Sequence, residues 1–203
     1  MGLKEKFVNV LLEIGFEANK TDALWQDLEK AYSGKNRYYH NLTHLEEMIV
    51  QFEIYHSQLT FPLEVLYAIF YHDYIYKATS KENELKSTEF AISILPENAK
   101  INAALVFDMI EATKLHEHNR VEDINWLIDF DLKILSKEWK EYEVYFKQIR
   151  KEYKIYPDLL YNPGRKKALQ HFLENEFIYQ TQTFRTNFEK QARENIQREI
   201  SQL

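Results

Sequence analysis

The sequence has no cysteine. Disulfides and thiolate metal sites are excluded, so any metal must be held by histidine and carboxylate. That donor set suits Mn, Mg, Fe, Co or Ni, or Zn in a nitrogen and oxygen site. Glycine and proline are scarce, four of each in 203 residues. A many-stranded β fold needs more turn chemistry than that, so long helices are expected. Basic residues do not predominate: 26 Lys and Arg stand against 32 Asp and Glu, for a net charge of −6. A nucleic-acid partner is not expected, although a few local cations suffice for a small phosphorylated substrate. No apolar run approaches the ~18 residues of a membrane span. The stretch Met1-Gly2-Leu3-Lys4-Glu5-Lys6-Phe7 has an early acidic residue and an amphipathic pattern, unlike a signal peptide. The expectation is a cytoplasmic protein without a membrane partner.

Aromatic residues are abundant, with 14 Tyr, 13 Phe and 3 Trp. Apolar residues recur at helical spacing in nearly every segment. The reading is one all-α domain over residues 1–203, a bundle of roughly nine helices. Gly15 is expected to end the first helix and Thr21 or Asp22 to cap the second. Pro62 is placed to open a helix from Leu63 to Tyr76 that is apolar nearly all round, hence central. Pro157 and Pro163-Gly164 are read as bends, with a new helix starting at Arg165. A long C-terminal helix offers a face able to support a homo-oligomer.

The central apolar run ends in His72-Asp73. Two such side chains are costly to bury unless something pairs with them. Similar groups occur upstream in Tyr39-His40-Asn41-Leu42-Thr43-His44 and downstream in Asp129-Phe130-Asp131-Leu132. His44, His72, Asp73 and Asp131 supply two neutral nitrogens and two carboxylates. That set balances a divalent ion and leaves positions for water and a phosphoryl oxygen. Glu84 follows the His-Asp pair across a polar loop. It is a candidate to orient water or a catalytic histidine, or else a first-turn carboxylate favoured by the helix dipole. Arg37, Lys77, Arg150 and Arg165 are the cations to search for a phosphate contact. His116 is a further ligand, a phosphate contact, or a polar residue at a helix end.

The order His44, His72-Asp73, Asp131 resembles the HD-domain metal-dependent phosphohydrolases, an all-α superfamily. Tyr39-His40-Asn41-Leu42-Thr43-His44 is similar to the Tyr-His-Asn-x-x-His motif of the cyclic-nucleotide phosphodiesterases, a related group. That resemblance implies His40 as proton donor to the leaving oxygen and His44 as metal ligand. Further stretches resemble a bacterial group of HD-superfamily hydrolases. They are Phe70-Tyr71-His72-Asp73, Asn83-Glu84, Thr113 with His116, Asp131-Leu132, Ile149-Arg150-Lys151-Glu152-Tyr153, Gly164-Arg165 and Ala192-Arg193-Glu194-Asn195. The resemblance implies a phosphohydrolase acting on a small phosphorylated compound, a nucleotide among the candidates, by attack of metal-activated water. Arg37, Lys77, Asn83, His116 and Arg165 are its candidate substrate contacts, and His40 and Glu84 its candidate catalytic residues. Tyr74-Ile75-Tyr76 lacks the extra histidine of two-metal relatives, so one ion per chain is expected. The alternative is a sensor or interaction protein that keeps the site without turnover.

Overall fold

The computed structural model describes residues 2–203. Within them the chain forms ten α-helices, two short 3₁₀ turns and no strand. In order these are α1 (Leu3–Ile14), α2 (Ala18–Tyr32), α3 (Leu42–Tyr55), α4 (Pro62–Tyr71) and α5 (Asn83–Ser93). There follow α6 (Ala103–Ala112), α7 (Glu122–Leu132), α8 (Trp139–Glu152), α9 (Asp158–Glu174) and α10 (Gln182–Ile200). The all-α reading holds, and the count is close to the nine expected. No helix is long and apolar enough to cross a membrane among the described residues.

The central helix is α4, as its sequence implies. Val65 and the run Tyr67 to Tyr71 are buried, and α1, α3, α5, α6 and α7 pack around them. A helix apolar on every side has no other stable place. Phe7 of α1 meets Phe70 edge-on at 5.0 Å between ring centroids. Pro62 opens α4, where a missing N–H costs nothing. Asp123 accepts the N–H groups of Thr60 and Phe61 just ahead of it.

The helix stops at Tyr71, earlier than the Tyr76 expected from hydropathy. Its Phe70 carbonyl and the turn that follows it find partners outside the helix, which is what lets it end deep in the protein. The Tyr32 hydroxyl donates to the Phe70 carbonyl, and Arg37 donates to the carbonyls of Asp73 and Tyr74. His72 and Asp73 therefore sit on a tight turn, held from the α2–α3 connection.

Three other expectations shift. Gly15 ends α1 in a left-handed conformation, as read, but α2 begins at Ala18, and Thr21 lies inside it with its hydroxyl on the Ala18 carbonyl. The α6 helix ends at Ala112, which leaves His116 beyond it. Pro163 and Gly164 do not bend the chain between helices; both lie within α9. Pro163 there forgoes one backbone bond, which a half-exposed helix tolerates at a cost.

Candidate metal centre

Three helix ends bring the site together. Asn41 caps α3 by accepting the N–H groups of Thr43 and His44, which sets His44 in the first turn. His72 is the residue that closes α4. Asp131 occupies the last turn of α7. The Nε2 atom of His44 lies 3.3 Å from Nε2 of His72 and 3.1 Å from Oδ1 of Asp131. His72 Nε2 lies 3.3 Å from Oδ2 of Asp73 and 3.9 Å from Oδ1 of Asp131. His44, His72 and Asp131 offer ligand atoms within 4.8 Å of one another, a set able to hold a metal ion.

The chemistry of the donors fits a cation. The Nδ1 atom of His72 lies 2.9 Å from the Ile69 carbonyl, which can only accept. That bond fixes the proton on Nδ1 and turns the lone pair of Nε2 toward the cluster. There it faces another imidazole nitrogen and two carboxylates, an arrangement that needs a positive charge. With protons alone, burial lowers the His72 pKa but Asp73 and Asp131 outweigh it and push it up to about 9. Burial raises the Asp73 pKa, yet His72 and His40 hold it well below the carboxylate range. Asp131 is held low in the same way, against burial, by hydrogen bonds from His116 and His44. Around a small divalent ion at ~2.1 Å, neighbouring ligand atoms stand about 3 Å apart. The separations here are of that order.

His40 stands beside this group. Its Nε2 lies 4.0 Å from Oδ2 of Asp73, and its Nδ1 is bonded to Oε2 of Glu152 at 2.6 Å. Glu152 has a fully buried side chain on the last residue of α8. Its other oxygen accepts the backbone N–H groups of Tyr38, Tyr39 and His40, at 2.8, 2.8 and 3.1 Å. The Tyr76 hydroxyl donates to Oε2 at 2.7 Å, and the Tyr76 ring stacks on His40. Burial lowers the His40 pKa, but Asp73 and the Glu152 bond outweigh it and raise it above the ordinary value. Burial raises the Glu152 pKa, but the bond and charge of His40, with the bonds from Tyr76 and the Tyr39 N–H, together more than reverse that. His40 is thus held at Nδ1 by Glu152, with its other nitrogen turned toward the cluster.

His116 bonds Oδ2 of Asp131 at 3.1 Å. Among the described residues it is the one non-glycine with a left-handed backbone, φ 55°. Such strain persists where the surroundings impose it. Here the Gln180 side chain holds the His116 carbonyl, and its own N–H bonds Ala112.

A cavity of about 500 Å³ opens from the cluster toward α8 and α9. His40, His116, Asp131 and Arg165 line it, together with Tyr39 and a wall of further tyrosines. Arg37, Lys77 and Asn83 do not. The Arg37 guanidinium is engaged with the His40, Asp73 and Tyr74 carbonyls. Lys77 and Arg37 line a separate groove of about 760 Å³. The Asn83 side chain clamps both backbone groups of Lys77 and so closes the loop between them. Glu84 sits in the first turn of α5, outside the wall of the cavity that touches the cluster. Arg150 is bonded to Asp158 and to the carbonyls of Tyr153 and Tyr156. Arg193 and Asn195 hold backbone carbonyls, as expected of structural residues.

The role of Glu152 escaped the sequence reading, although one signal for it was present. Tyr142, Tyr145, Ile149 and Glu152 fall on one buried stripe of α8. A carboxylate in an apolar phase must have a buried partner. No protein-family model, no curated protein and no solved structure matches the chain.

Proposed function

We propose that the protein is a metal-dependent phosphohydrolase of HD type that cleaves a phosphate ester of a small cytoplasmic compound, a nucleotide being one candidate. The observation that carries this is the pairing of two different devices. A cation-demanding group, His44, His72 and Asp131, adjoins an oriented proton donor, His40 on Glu152. Asp73 lies between them, within 4.0 Å of both His40 and His72. A bound divalent ion supplies water of lowered pKa and offsets charge on the phosphoryl oxygens.

The chain's own residues divide the remaining work. His44, His72 and Asp131 would hold the ion, with the Asp73 carboxylate beside them, 3.3 Å from His72. His116 orients Asp131 through Oδ2 and leaves Oδ1 to the cluster. His40 carries a proton on Nε2 toward the leaving oxygen, and Glu152 keeps it protonated and aimed. General acids of this kind contribute roughly 10²- to 10⁴-fold in rate. One ion per chain is the expectation for this ligand set.

The test is the metal content of protein purified without chelator, with turnover of phosphomonoesters and phosphodiesters under added Mn, Mg, Co and Ni. Asp131→Asn is expected to lose ion and turnover together. His40→Ala is expected to keep the ion and lose about 10²-fold or more in kcat. Wild-type turnover in His40→Ala would remove the acid role. Absence of bound metal under every condition would remove the site.

A further inference from the structure

The cavity beyond the cluster has a composition of its own. Tyr145 and Tyr153 line it from α8 and the turn after it; Tyr161, Gly164, Arg165 and Phe172 line it from α9. We propose that this chamber seats the organic part of the substrate, and that it takes a flat, uncharged ring system carried on a single phosphate. The proposal rests on the phosphohydrolase reading, which places the phosphate at the metal end.

Charge decides the first part. Arg165 is the one Lys or Arg side chain on the wall, and its charge is already matched. Its guanidinium bonds both oxygens of Glu199, at 2.7 and 3.1 Å, and Glu199 is buried. The one carboxylate on the wall is Asp131, at the metal end. A second phosphate or a carboxylate tail in the chamber would lose water and find no free counter-charge. A charged amine would meet no free anion there. The occupant is therefore neutral beyond its one phosphate.

Shape decides the second part. Six aromatic rings, five of tyrosine and that of Phe172, share the walls with five leucine and isoleucine side chains, and such rings favour flat partners in offset or edge contact. One hydroxyl stands ready for a polar atom on such a ring. The Tyr145 hydroxyl accepts a long bond from Arg165 and donates to no acceptor among the described residues.

Gly164 points the same way from the opposite side. It lies within α9, where glycine is unfavourable. A Cβ built on it meets no atom within 4 Å outside its own helical neighbourhood. Protein packing does not require the glycine; the space before it belongs to the chamber. Gly164 and Ala168, one turn apart and both exposed, stand at the open side of the chamber.

The experiment compares 2-(1-naphthyl)ethyl phosphate with ethyl phosphate, each as the monoester and as its methyl diester. Both release a primary alcohol, so the chemistry of departure is matched. Calorimetry uses the corresponding phosphonate, which is not hydrolysed. Wild-type protein is expected to favour the naphthyl ester by about tenfold or more in kcat/KM, the scale of burying one large apolar group. Gly164→Leu and Ala168→Leu are each expected to lower that preference about tenfold, and two sites guard against one variant failing to fold. Equal kcat/KM for both esters, or a preference unmoved by either variant, overturns the chamber and leaves the reaction standing. Phosphonate binding that the variants abolish, with no turnover anywhere, supports the chamber and overturns the phosphohydrolase reading. Neither binding nor turnover overturns the proposal. Tighter binding of the naphthylethyl diphosphate than of the monophosphate overturns its single-phosphate part.

Discussion

Glu152→Gln separates the role proposed for Glu152 in catalysis from its role in folding. The substitution keeps an oxygen for the three N–H groups of Tyr38, Tyr39 and His40, so the loop retains its acceptor. It removes the charge 2.6 Å from Nδ1 of His40. A hydrogen bond to a charged group is worth about 1.5–3 kcal/mol net, or roughly 10- to 100-fold in favour of protonated His40. The expected loss in kcat/KM is of that size on the alkaline side, where the wild-type donor is still protonated. The sign follows from the acid role. Rate falls as pH rises through the raised pKa of His40, and the substitution lowers that pKa, so the alkaline limb moves to lower pH. Stability moves in the other direction on the scale. The folded Glu152 pKa lies below its ordinary 4.5. Its contribution is present above that value and lost as pH falls through the lowered one. Glu152→Gln is therefore expected to flatten the acid limb of a urea-unfolding series. Glu152→Ala instead leaves three donors unpaired, one buried and two partly buried, and costs about 3 kcal/mol or more. The assays are pH profiles of kcat/KM and urea midpoints from pH 3 to 9. An alkaline limb that stays in place in Glu152→Gln would refute the assignment, whatever happens to stability.

Two further predictions concern residues outside the cavity. Arg37→Ala is expected to lower the urea-unfolding free energy by about 2 kcal/mol or more, because three carbonyls lose a charged donor at once. An unchanged midpoint would show that water replaces the guanidinium at the end of α4. Glu84→Gln is expected to leave kcat within about twofold, far short of the 10²-fold or more of a general acid or base. A loss of that larger size would place Glu84 at the reacting atoms in the working state.

What was legible in the sequence divides by range. Helix type and the central place of α4 followed from local periodicity, because an apolar helix has one kind of home. The convergence of His44, His72 and Asp131 was legible as residue types in order. The reason the ends meet lies in tertiary bonds that no local pattern carries. Arg37 shows this. As a sequence feature it is one cation among many, and the fold makes it the clamp on the turn after α4, 36 residues away. Asn83 reads as a partner of Glu84 in a motif, yet its side chain closes its own loop. Pro163-Gly164 reads as a break by local rules, and α9 runs through it. That is where local preference yields to packing, and also where the chamber has its open wall.

The placing of the cluster at helix ends has an electrostatic consequence. α4 and α7 both present their C-terminal ends to it, through His72 and Asp131. Each such end carries partial negative charge from its unpaired carbonyls, so the backbone adds to the attraction for a cation. α3 presents its N-terminal end, which would oppose that. Asn41 covers two of the N–H groups there, those of Thr43 and His44. The remaining field is negative, and two carboxylates lie within it. A proton on His72 answers that field in part, and only while the pH stays below about 9. A divalent ion answers it at any pH where the ligands are deprotonated. That is the physical reason to expect the ion and the fold to stabilise each other, beyond the phosphate chemistry that the ion would serve.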